Sequence, residues 1–175
     1  GLDLMGKPAE IGVSGLMGPE EAESSQGEIF ELDQSAVAVD VSLPLGKMVA
    51  LKGQYFSGKN LKHYVGGISQ DVTEVPVEGT DEKELVEIET SGWWGQLTLM
   101  PAEGWQINAG AGMDDPEIPE DTTSLSSRDK NTTYYGNVLW SVAPAAVIGV
   151  EYAKFETEYA TRSESDPEGL TTDSY

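Results

Sequence analysis

The sequence has no cysteine, a single histidine, and only 10 Lys+Arg against 31 Asp+Glu. Without cysteine there are no disulfides, thiolate metal sites or cysteine nucleophiles. The lone His63 excludes zinc clusters built on several imidazoles, and a Ser-His-Asp triad would have to draw on that one residue from inside a long connection. Ser57-Gly58-Lys59-Asn60 lacks the upstream glycine and the following Ser or Thr of a phosphate-binding loop. Nothing here assembles a catalytic site, and the chain is not expected to be an enzyme or to carry a cofactor. The formal charge of -21 opposes nucleic-acid binding, which rests on Lys and Arg neutralising phosphates. Also missing is any run of about 18 apolar residues, the minimum for a spanning helix. A spanning β-strand needs only about 9–11 residues, half of them polar, so these absences do not bear against a barrel. Gly1 to Lys7 has no basic stretch followed by an apolar one, as expected of a mature chain or of a fragment cut from a longer one.

What the sequence does have is alternation with a period of two. Val37, Val39, Val41, Leu43 and Leu45 alternate with Ala36, Ala38, Asp40 and Ser42. Val49, Leu51 and Tyr55 in the run from Met48 to Phe56 are set against Lys52 and Gln54. A second unit spans Trp93 to Met113 around Pro101-Ala102-Glu103-Gly104; in it Trp105, Ile107, Ala109, Ala111 and Met113 alternate with Gln106, Asn108, Gly110, Gly112 and Asp114. A third pairs Thr132–Val142 with Ala146–Thr157 across Ala143-Pro144-Ala145, placing Ile148, Val150 and Tyr152 opposite Gly149, Glu151 and Ala153. An earlier strand runs from Glu10 to Met17. The pattern predicts an all-β chain, an antiparallel meander of about seven to eight strands in one domain over residues 1–175.

Connection lengths alternate too. Those at 44–47, 101–104 and 143–145 are tight and contain Pro44, Pro101 and Pro144; those at 18–33, 57–91 and 114–131 are long and hold most of the acid. Short turns at one end and long loops at the other belong to an outer-membrane barrel. Aromatic residues near strand ends, among them Tyr55, Trp93, Trp105, Tyr134, Trp140 and Tyr152, fit the girdles of such a barrel. Single-chain bacterial barrels close on an even number of strands, so seven strands suggest part of a longer barrel. The competing reading is a soluble, secreted or periplasmic β-sandwich or barrel, a binding module whose long acidic loops form the ligand surface.

Two residue sets follow. The polar strand faces nominate Asp40, Lys52, Gln54, Gln106, Asn108 and Glu151 as pore-lining, with Gln106, Asn108 and Lys52 facing water and Val37, Val39, Val41 and Leu43 sharing an apolar environment with Ile107 and Ala109. The cluster Asp114, Asp115, Glu117, Glu120 and Asp121 offers carboxylate oxygens for Ca²⁺, without EF-hand spacing; the ordinary alternative is a solvated acidic loop. Divalent ions there could bridge to lipopolysaccharide.

The runs Ser42-Leu-Pro-Leu-Gly-Lys-Met-Val-Ala-Leu-Lys-Gly-Gln-Tyr-Phe, Gly92-Trp-Trp-Gly-Gln-Leu and Gly136-Asn-Val-Leu-Trp-Ser resemble the C-terminal half of porin-like outer-membrane proteins of the DcaP-like kind. The similarity covers most of residues 9–160. It implies a bacterial outer-membrane location, contact with lipid and lipopolysaccharide, passive diffusion of small hydrophilic solutes, and assembly as a homo-oligomer. With most carboxylates at one end of the strands, such a pore is expected to favour cations.

Overall fold

The computed structural model describes residues 2–4, 7–64, 66–80, 82–119, 127–160 and 170–174. In chain order the strands are β1 (Leu2–Leu4), β2 (Lys7–Glu23), β3 (Ile29–Pro44), β4 (Val49–Lys59), β5 (Val72–Pro76), β6 (Lys83–Glu87), β7 (Glu89–Leu99), β8 (Trp105–Glu117), β9 (Ser127–Ala143), β10 (Ala146–Ala160) and β11 (Leu170–Ser174). Nine of them form one antiparallel meander in the order β1-β2-β3-β4-β7-β8-β9-β10-β11, while β5 and β6 make a separate two-stranded sheet inside the β4–β7 connection. Two 3₁₀ turns, Lys62–Tyr64 and Gly67–Ser69, precede that small sheet, and no α-helix occurs among the described residues. The seven expected strands are β2, β3, β4, β7, β8, β9 and β10. Among the described residues β2 and β10 do not pair with each other, so the sheet is open.

The strands run further than their alternation. β2 and β3 pair as far as Glu23↔Ile29, leaving only residues 24–28 as a turn, and β8 extends to Glu117 while β9 begins at Ser127. Much of what reads as loop at 18–33 and 114–131 is therefore paired strand. In these extensions acidic side chains are interspersed with the apolar ones: on β3 half-buried Phe30 and Leu32 alternate with exposed Glu31 and Asp33, so a stretch that reads as acidic loop continues the backbone ladder. Ser24 shapes the first turn, its hydroxyl accepting from the N–H groups of Gln26 and Glu28 at 3.3 and 3.2 Å. Prolines inside these extensions sit where one strand side is free: Pro19 pairs with Asp33 on a stretch of β2 that β1 does not reach, and Pro116 pairs with Thr90 beyond the last β8–β9 pair, Asp114↔Asn131. Pro101 and Pro144 lie in tight turns as expected. Pro44 instead ends β3, opposite Ala50, where β2 no longer pairs with β3; the turn is 45–48.

Directly opposed residues share a face, so the register sorts every side chain. One face carries Ile11 and Val13 of β2, Val37, Val39, Val41 and Leu43 of β3, and Leu51 and Tyr55 of β4. It continues through Trp93, Leu97 and Leu99 of β7, Ile107, Ala109 and Met113 of β8, Tyr134, Val138 and Trp140 of β9, and Ile148, Val150 and Tyr152 of β10. The four β3 residues do fall on one face with Ile107 and Ala109, but no described residues enclose that face in the apolar environment expected of it, and Val37 is left 51% exposed. The other face is small or polar.

Burial is inverted relative to a water-soluble domain. Among the described residues the buried hydrophobic side chains are Leu61, Leu85, Ile88 and Ile118, all at the end of the sheet with the long connections. The apolar strand face is exposed instead, Val13 by 73% and Val150 by 77%. The chain presents 11474 Å² to solvent, whereas a compact monomer of 18.8 kDa presents about 8,300 Å².

Candidate functional site

The polar face is where side chains converge. Asp40, Lys52, Gln54, Gln106, Asn108 and Glu151, separated by up to 111 positions in sequence, all fall on it by register: Asp40↔Gln54, Ser42↔Lys52, Gln106↔Leu139, Asn108↔Asn137 and Asn137↔Glu151.

At its centre Asn108 is a hub. Its Oδ1 accepts from Thr98 Oγ1 at 2.7 Å, Gln106 Nε2 at 2.9 Å and Gln96 Nε2 at 3.2 Å. Its Nδ2 donates to Asn137 Oδ1 at 2.6 Å, and Asn137 Nδ2 donates to Glu151 Oε2 at 2.8 Å. The Tyr135 hydroxyl donates to Gln96 Oε1 at 2.7 Å. The result is a chain of side-chain hydrogen bonds crossing β7, β8, β9 and β10 at right angles to the strands. Asn108 is 3% exposed, so it does not face water as expected; its polar atoms are satisfied by neighbours instead. Thr98, Asn137, Gln96 and Tyr135 belong to the same surface, and it is the cross-strand register, not the alternation within any one strand, that assigns them to it.

Large side chains on this face lie flat because glycines stand beside them. A Cβ on Gly110 would sit 2.5 Å from the Tyr135 ring, and one on Gly92 would sit 2.5 Å from Phe56. Trp94 shares the face, opposite Gln54 and Gly112, with 40% of its surface exposed.

The β4–β7 connection folds against the sheet at the loop end. Asn60 opens it in a left-handed conformation, φ 59°, its N–H donating to the Ile88 carbonyl at 3.1 Å. Asp114 anchors the second 3₁₀ turn to the polar face, accepting from Ile68 N–H at 2.9 Å and from Thr90 Oγ1 at 2.8 Å. Gln70 exchanges two hydrogen bonds with the Arg128 backbone, at 2.7 and 2.9 Å. The small sheet is tied to the β2–β3 hairpin: Glu74 takes Ser25 N–H at 2.6 Å and Lys83 Nζ at 2.8 Å, and Glu87 takes Asp33 N–H at 2.6 Å and Lys59 Nζ at 2.7 Å. The hydrogen bond from Lys83, with those from Ser25, holds the Glu74 carboxyl down at about 2. The Glu87 hydrogen bond raises Lys59 above its ordinary value.

The described members of the acidic cluster are divided between the two faces. Register places Asp114 on the polar face and Asp115 and Glu117 on the other, Asp115 within 3.5 Å of Lys130. Glu120 and Asp121 lie outside the described residues. Glu20, His63 and Asp71 do come together, with ligand atoms within 4.8 Å of one another. Each is engaged already, Glu20 with His63 at 3.1 Å and Asp71 with Lys62 at 3.2 Å.

No family model, curated protein or solved structure matches this chain.

Proposed function

We propose that this chain forms wall of a porin-like β-barrel in a bacterial outer membrane, its apolar face against lipid and its polar face along a path for small hydrophilic solutes. The observation that carries the reading is the exposed apolar face, continuous over seven strands, while the buried hydrophobic residues sit elsewhere. In water such a face is an aggregation liability; in a bilayer it is the surface that lipid requires.

Two geometric features support it. Trp105 and Trp140 stack at 5.4 Å between ring centroids near the tight-turn end, while Tyr55, Trp93, Tyr134 and Tyr152 bound the band at the other end. From Trp105 to Met113 the band is nine residues long on β8, the span of a transmembrane β-strand. The upper aromatic row also drifts. Tyr55 and Trp93 are directly opposed, Tyr134 lies two residues nearer the turns, and Tyr152 two nearer still. A drop of four residues at about 3.3 Å each, over four strand spacings of about 4.8 Å, corresponds to a strand tilt of about 35° if the row is level with a membrane surface. Barrel strands tilt by about 35–45°. A soluble sandwich would need a second layer over the apolar face, and none covers it among the described residues.

The test uses the native tryptophans. In lipid vesicles carrying brominated acyl chains, Trp93, Trp105 and Trp140 should be quenched and Trp94, on the opposite face, spared, each read from a variant retaining one tryptophan. Quenching of Trp94 equal to that of Trp93, or failure of the chain to float with vesicles, would sink the reading.

A further inference from the structure

Between the polar face and the β4–β7 connection lies a cleft of about 400 Å³, toward the small end of the roughly 300–1,000 Å³ typical of small-molecule sites. Ala36, Ala38 and Phe56 line it on the sheet side, Leu61 and Tyr64 on the side of the connection, and Leu16 at its flank; Gln54 and the Tyr64 hydroxyl are its polar side-chain groups. The walls suit an aromatic or aliphatic group.

Next to Gln54 stand two opposite charges that do not meet. Asp40 is directly across from Gln54 on β3, and Lys52 is two residues along β4 on the same face. Neither forms an ion pair among the described residues, although every other lysine in β4 and the β4–β7 connection does. The Asp40 carboxylate lies over Gly12, where a Cβ would be 2.5 Å from its Oδ1, and so leans toward β2 and away from Lys52. An ammonium and a carboxylate held a few ångströms apart on one molecule would satisfy both.

We propose that this cleft and its charged rim bind a small zwitterion carrying one apolar side chain, of the size of phenylalanine. The side chain enters between Phe56 and Tyr64, the ammonium faces Asp40, the carboxylate faces Lys52, and Gln54 supplies a hydrogen bond between them. The inference rests on the reading that the polar face lines a solute path, and it names the class of solute.

The experiment observes the full chain, methyl-labelled, in nonionic detergent micelles. L-phenylalanine, phenethylamine and 3-phenylpropionate are titrated separately while the Leu16 and Leu61 methyl resonances are followed. L-phenylalanine should shift both methyls saturably, with each singly charged analogue at least tenfold weaker. Asp40→Asn and Lys52→Gln should each weaken L-phenylalanine at least tenfold, and Ala38→Leu, which fills the cleft from the sheet side, should abolish the shifts. No saturable shift, an analogue binding as well as L-phenylalanine, or unchanged binding to Ala38→Leu overturns the proposal. Flotation with vesicles separates the two readings: a chain that binds without inserting keeps the site and loses the barrel, and one that inserts without binding loses the site.

Discussion

Replacing Leu97 by arginine discriminates between lipid and water at the apolar face. Leu97 sits near mid-band on β7, opposite Leu51 and Ala109, and is 41% exposed in the isolated chain. Ser91 lies on the same face of the same strand, six residues toward the loop end and just past Trp93. At about 3.3 Å per residue and a tilt of about 35°, the two positions differ in depth by about 16 Å. An arginine facing lipid at the midplane of a barrel costs about 2–4 kcal/mol and one near the interface about 0–1. Leu97→Arg should therefore lower the free energy of unfolding in vesicles by about 2–4 kcal/mol, roughly 30- to 850-fold in the equilibrium constant, and Ser91→Arg by no more than about 1 kcal/mol. In water, exchanging an already exposed leucine shifts stability by only about 0.5 kcal/mol. Guanidinium unfolding in vesicles, followed by tryptophan fluorescence, gives both values. Equal costs at the two positions, or a Leu97→Arg cost within about 0.5 kcal/mol of zero, would refute the assignment of this face to lipid.

Asn108→Leu should cost about 1–3 kcal/mol in the same unfolding assay, because it strands the partners of a buried hub, whereas Gln106→Ala, which removes one hydrogen bond, should cost about 1. The Glu74 carboxyl is depressed to about 2, so the hydrogen bonds it holds are fully favoured above the ordinary carboxylate range and are lost as pH falls from about 4.5 through about 2; a fall in the protection of the Ser25 amide relative to its intrinsic exchange rate over that window, absent in Glu74→Gln, would register it. A pore containing this wall should favour cations, with a preference that fades as salt screens the acidic end over a Debye length of about 10 Å at 0.1 M; reversal potentials under a salt gradient showing anion preference, or no salt dependence, would count against it.

The seven long strands, their facing and the tight turns were legible because a strand between two unlike environments writes them into alternate residues. Val37 to Leu43 and Trp105 to Met113 are such stretches, and their register follows directly. β5 and β6, by contrast, lay inside a stretch, 57–91, that reads as loop. Acidic side chains obscured the strand ends: Glu20, Glu21, Glu31 and Asp33 are paired strand residues that read as loop. The described part of the acidic cluster is divided by strand geometry. Asp114 and Asp115 are adjacent in sequence, yet adjacency on a strand sends them to opposite faces. The Asn108 hub needed pairing across four strands, which no local pattern encodes, and the fold of residues 60–88 onto the polar face depends on single anchors such as Asp114 and Gln70.

The meander has a directional consequence. With seven long strands in alternating sense, β2 and β10 point the same way, so bringing their outer edges together would create a parallel seam in an otherwise antiparallel wall. Only an odd number of intervening strands avoids it. β1 and β11 both run in the sense such a strand must take, β1 against residues 7–9 at the turn end of β2 and β11 against residues 155–159 at the loop end of β10. Each border of the long-stranded sheet thus carries, at opposite heights, a short strand in the orientation that keeps the sheet antiparallel.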